Sequence, residues 1–86
     1  GDVTHVTITF DGNGGNLRGN QAVTTTSQDI VTATNSLITI PEFERLGYKF
    51  LEWNTRPDGK GTTPPDDNIM NTSSNITYFA IWIPGA

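Results

Sequence analysis

The 86-residue sequence contains no cysteine. Disulfides and thiolate metal sites are therefore excluded. It holds a single histidine, His5, so three-ligand zinc sites and histidine relays lack a second member. Charge is sparse, at 16% of residues against about 25% in an average soluble domain. Basic charge is scarcest: five Lys and Arg face nine Asp and Glu, for a net charge of −4. That balance argues against a nucleic-acid partner gripped through its phosphates. No apolar run approaches the roughly 18 residues that span a bilayer, so no membrane insertion by this segment is expected. No signal peptide precedes the first β-patterned residues, and the segment reads as a piece of a larger chain.

What fills the gap is Thr, Asn, nine Gly and five Pro, with only 34% hydrophobic residues. The length suits one domain. Without cysteine, its stability has to come from packing. Eight aromatics (two Trp, two Tyr, four Phe) carry much of it, since each can bury about 150 to 250 Å².

Val3 to Phe10 alternate strictly. Val6, Ile8 and Phe10 share one face, and His5, Thr7 and Thr9 the other, as in a half-buried strand. The run stops at Asp11-Gly12-Asn13-Gly14-Gly15-Asn16, a dense turn signal. Gln21 to Thr26 has strand chemistry. Gln28 to Thr34 reads as a second short strand or as a frayed helix capped by Ser27, and its β-branched residues favour extended structure. Leu37 to Ile40 forms a short strand ended by Pro41. In Tyr48 to Trp53 the apolar phase changes between Phe50 and Leu51, which predicts a β-bulge or a strand covered on both faces. Asn54 to Asn68 is loop, with a tight turn around Pro57-Asp58-Gly59. Asp66 to Met70 is expected to form one helical turn with Ile69 or Met70 plugging the core. Ile76 to Ile83, ended by Pro84, is apolar on both faces and suits a central strand.

Candidate chemistry mostly fails on spacing. Gly12 and Gly14 lack the third glycine and the helix of a dinucleotide fingerprint, since Leu17 stands there. Asp11-x-Asn13 imitates a calcium loop, but Asn16 and Ala22 occupy the places of its Gly and Glu, and an Asx-turn is the simpler reading. Glu42, Glu44 and Glu52 are close in order, yet nothing builds a cleft around them. Asn71-Thr72-Ser73 and Asn75-Ile76-Thr77 match a glycosylation triplet that arises readily by chance in an Asn- and Thr-rich chain. Neither catalytic residues, cofactors nor metal ligands are expected, and an enzyme is not.

Three ordered motifs mean more together: Val6-Thr7-Ile8-Thr9-Phe10-Asp11-Gly12-Asn13-Gly14-Gly15, then Gly47-Tyr48-Lys49-Phe50-Leu51-Glu52-Trp53, then Asn75-Ile76-Thr77-Tyr78-Phe79-Ala80-Ile81-Trp82. In this order the chain resembles the Listeria–Bacteroides repeat, or internalin B-repeat, over about residues 6 to 82. Glu52 stands where that family usually has Gly, and Tyr78-Phe79 replaces its usual Leu-Tyr. The resemblance rests on Phe10, Asn13, Gly14, Gly15, Gly47, Tyr48, Phe50, Trp53, Ala80 and Trp82.

The resemblance implies a mainly β, or α+β, fold: a β-grasp-like small mixed sheet of about four strands with little or no helix. Residues 1–86 would be one such module, with its core at about 6–83. Tyr48, Phe50 and Trp82 are expected to anchor that core. The implied role is a non-catalytic structural or interaction module of an extracellular bacterial surface protein with a cell-wall-associated parent. Its partners would be neighbouring repeats or domains of the same chain, or a host surface protein or glycan. The alternative is a carbohydrate- or mucin-binding module, with Trp53, Asn54 and Asp58 as the candidate patch.

Overall fold

The computed structural model of the chain describes residues 4–85. The expected strand residue Val3 lies outside them. Eight strands follow in order: β1 His5–Asp11, β2 Asn16–Leu17, β3 Thr25–Val31, β4 Ser36–Leu37, β5 Phe43–Glu44, β6 Tyr48–Asn54, β7 Ile69–Met70 and β8 Ile76–Pro84. Among the described residues there is no helix. The fold is mainly β, with a four-stranded mixed sheet in the order β3-β1-β8-β6 and two small two-stranded ladders, β2·β5 and β4·β7. In the main sheet β1 is antiparallel to β3 and parallel to β8, and β8 is antiparallel to β6.

Alternation places the core on one face of this sheet. Val6, Ile8 and Phe10 from β1, Ile30 from β3, Trp53 from β6, and Tyr78 and Ala80 from β8 are all buried. Among the described residues no helix and no sheet of more than two strands covers them. Ile38, Phe43 and Met70, carried by the connecting segments and the small ladders, close over that face instead. The doubly apolar β8 is central, as its pattern predicts. On the outer face the turn after β6 lies over it, with Gly59 against the Ile81 side chain.

The bulge in β6 forms where the apolar phase changes: Phe50 faces Trp82, Glu52 faces Ile81, and Leu51 between them has no register partner. The extra residue brings Phe50 and Trp53 to the same side, with ring centroids 5.5 Å apart.

Elsewhere the expectations need correction. The extended structure favoured for Gln28 to Thr34 is present as far as Val31, but no break falls at Ser27. One continuous β3 runs from Thr25 to Val31 in register with all of β1. Pairing satisfies every second backbone group there, which outweighs any capping by Ser27. The strand expected at Leu37 to Ile40 shrinks to Ser36–Leu37, paired with β7. No helical turn forms at Asp66 to Met70. Asn68 N–H instead bonds Pro65 O in a tight turn, with Asn68 at φ +60°. Of the two apolar residues after it, Met70 fills the core and Ile69 is exposed. Tyr48 and Phe50 do not anchor the core: they are 40% and 41% exposed. They sit on an outer strand, which the covering segments reach only in part. Trp82 is half-buried against the core.

Candidate functional site

The patch Trp53-Asn54-Asp58 does not form a surface. Trp53 is 5% exposed and packs edge-on against Phe10 and Phe43, with centroids 5.0 and 5.2 Å away. It is the hub of an aromatic cluster, and too little of its ring is exposed to form a stacking platform for a sugar. The carbohydrate reading built on that platform is therefore withdrawn.

Asn54 is the one fully buried polar side chain among the described residues, at 2% exposure. Its four bonding positions are all used. Nδ2 donates to Glu52 Oε2 at 2.7 Å and to Gly59 O at 3.2 Å. Oδ1 accepts from the backbone N–H groups of Arg56 at 3.0 Å and Gly61 at 2.8 Å. Buried amides are costly unless satisfied in this way. Asn54 thus folds the 55–62 loop back on itself. Asp58 is exposed; it accepts from Lys60 N–H and pairs with Arg56 at 3.2 Å. It belongs to the same turn, not to a ligand site.

The glycine-rich turn has a structural reason. Asp11 Oδ1 accepts the Asn13 N–H at 2.8 Å, which is the expected Asx-turn. Asn13 and Gly14 follow with φ of +48° and +99°. The turn brings Gly15 beneath the Trp82 ring, where an added Cβ would collide with the indole. The indole N–H in turn donates to Gly12 O at 2.8 Å. Gly47 lies in the turn that leads into β6, where Tyr48 N–H bonds Arg45 O.

Among the described residues the titratable groups do not converge. Glu42 pairs with Arg18 at 3.0 Å, both well exposed. Glu44 accepts the Gly19 N–H, and Glu52 serves Asn54. His5 meets the Thr4 hydroxyl at 3.1 Å, on the exposed side of β1. Among the described residues no group of three His, Cys, Asp or Glu could hold a metal ion. Burial raises the Tyr78 hydroxyl above its ordinary pKa of 10.0.

Two shallow open grooves flank β5. One, of about 410 Å³, is lined by Arg18, Ile40, Pro41, Glu42, Phe43 and Phe50, with the small exposed part of Trp53 at its floor. The other, of about 390 Å³, lies between Asn16, Gln21 and the Glu44 to Gly47 turn. The sequence reading missed their apolar rim. Leu46 is 99% exposed, and Arg45 sits over the Tyr48 ring, 3.9 Å from its centroid. Only the isolation of Leu46 between Arg45 and Gly47 hinted at this.

A mainly β module built around a satisfied polar hub is the class this geometry defines. The family model of the Listeria-Bacteroides repeat domain matches residues 7–81, and the chain belongs to that family. No curated protein and no solved structure matches the chain significantly.

Proposed function

We propose that this module is a non-catalytic structural and interaction unit of a bacterial cell-surface protein, spacing or presenting neighbouring domains of the same chain. The family match across residues 7–81 carries the reading, because this repeat family is typical of bacterial surface proteins. The shape supports it. The radius of gyration is 13.5 Å. A compact chain of this length would have about 12 Å. The longest dimension is 47 Å, about twice either of the others, at 26 and 22 Å.

The test is replacement within the parent protein on intact cells. The module is exchanged for an unrelated domain of the same length, and surface display of its neighbours is measured by antibody accessibility. Restored display supports the spacer role. If display fails while the neighbours remain folded, the module contributes contacts of its own, and binding of the isolated domain to host proteins and glycans then identifies them. A parent found only inside the cell overturns the proposal.

A further inference from the structure

β1 and β8 are neighbours and run parallel, with Ile8 opposite Ile76 and Asp11 opposite Phe79. The start of β1 and the finish of β8 therefore lie at opposite ends of the sheet. At about 3.3 Å per residue along that register, His5 and Pro84 are separated by roughly 35 Å. Tension applied through these two ends slides β1 along β8. The rungs between them then lie across the pull and have to yield together. In an antiparallel pair pulled from its open end, the rungs yield one after another.

Side chains lengthen this seam at both ends. Before the ladder, Thr7 N–H donates to Asn75 Oδ1 at 2.8 Å. Beyond it, Asn13 Nδ2 donates to Ala80 O at 2.9 Å, and Trp82 Nε1 donates to Gly12 O at 2.8 Å. Each bond joins the β1 side to the β8 side. On the core face the seam is dry: Ile8, Phe10, Tyr78 and Ala80 are at most 3% exposed. The Phe10 and Tyr78 rings stack across it, with centroids 5.6 Å apart.

We propose that the β1–β8 seam is a shear clamp that lets the module carry tension along its length, with Asn75, Asn13 and Trp82 locking its two ends. Its biological use rests on the spacer reading; its mechanics rest on the geometry alone. Because the chain has no cysteine, pulling handles can be placed by substitution in the full 86-residue chain. His5→Cys with Pro84→Cys loads the seam in shear. Leu46→Cys with Pro84→Cys peels β6 from β8 at its open end, since Tyr48 lies opposite Pro84 and Leu46 is fully exposed.

Single-molecule force spectroscopy should give a clearly higher unfolding force for the first pair than for the second, because its rungs are loaded together. Asn75→Ala and Asn13→Gly should lower the first force and leave the second unchanged. Glycine accepts the positive φ of Asn13, so that variant removes the side chain and spares the turn. Equal forces in the two directions overturn the clamp while leaving the spacer reading intact. A loss of force in both directions from the Asn variants removes their assigned role. A parent that never reaches the cell surface overturns the spacer reading and not the directional difference.

Discussion

The side-chain amide of Gln28 lies against the backbone of Thr39 and exchanges two hydrogen bonds with it, each 2.8 Å long. One side chain thus stands in for a strand partner on the outer edge of β3. It holds the 38–42 segment against the sheet, where Ile38 is 2% exposed and closes the core. An amide can do this because it carries a donor and an acceptor at the spacing of a peptide group.

Gln28→Ala should lower stability by about 1–2 kcal/mol, the net worth of two partly exposed hydrogen bonds. The urea midpoint falls and the slope stays constant, because the same surface is exposed on unfolding. Gln28→Glu is the sharper variant. Its carboxylate still accepts from Thr39 N–H but faces the Thr39 carbonyl with no donor. Protonation restores the donor, so this variant should gain stability relative to wild type as pH falls through the acid range. A difference independent of pH would contradict the pairing.

Asn54→Ala leaves the Arg56 and Gly61 N–H groups and the Gly59 carbonyl without their partner. The expected loss is about 2–4 kcal/mol, as for a buried network broken at its hub. Asn54→Asp keeps both acceptor bonds and sets a second carboxylate against Glu52. Like charge raises the pKa of such a pair in the folded state. The penalty is therefore greatest near neutrality and shrinks as pH falls through the carboxylate range. Thermal unfolding of both variants at neutral and acid pH checks the difference between them.

Gly15 and Trp82 should be coupled. Gly15→Ala drives a methyl into the indole, at an expected cost of about 1–3 kcal/mol for overpacking. In a Trp82→Phe background the benzene part of the indole is gone, and the same alanine should cost less, keeping only its close approach to the Glu44 carbonyl. A double-mutant cycle in chemical denaturation reads the coupling. Additive losses would mean that Gly15 is needed for some reason other than the ring.

Tyr78 sets an alkaline limit. Its folded pKa is raised above 10.0 by desolvation. The neutral phenol therefore favours the folded state, and this contribution is fully present below pH 10.0. It is lost as pH rises from there through the folded value, because the unfolded chain ionises first. Tyr78→Phe should flatten the alkaline decline of the denaturation midpoint. In a Tyr48→Phe variant only Tyr78 remains, and absorbance titration of its phenol should show the raised value directly.

Most long elements were legible in the sequence and the two-residue ones were not. β3, as long as β1, is the exception, because of its seven residues only Ile30 and Val31 are apolar and no alternation shows. β1, β6 and β8 each have seven or more residues, enough for alternation to reveal a face. Even the β6 bulge announced itself, since Leu51 breaks the phase. β2, β4, β5 and β7 hold two residues each, too few for any period. They exist because distant segments meet, which no local pattern encodes. The candidate site failed for a related reason. A Trp beside an Asn has the chemistry of a sugar platform. Whether it is a platform depends on Phe43 arriving from another segment to cover it. Tyr48 and Phe50 fail the other way: alternation set them on one side with respect to their strand, but could not show that nothing reaches far enough to bury them.

The opposed ends of β1 and β8 make the module a unit of length. A flexible linker gains reach only as about the square root of its residue count. Units entered at one end and left at the other add their long axes in proportion to their number when they follow one another. Duplicating or deleting one such unit in a gene would then change the reach of a display by a fixed step of up to 47 Å. No core would have to be rebuilt, because each unit closes its own.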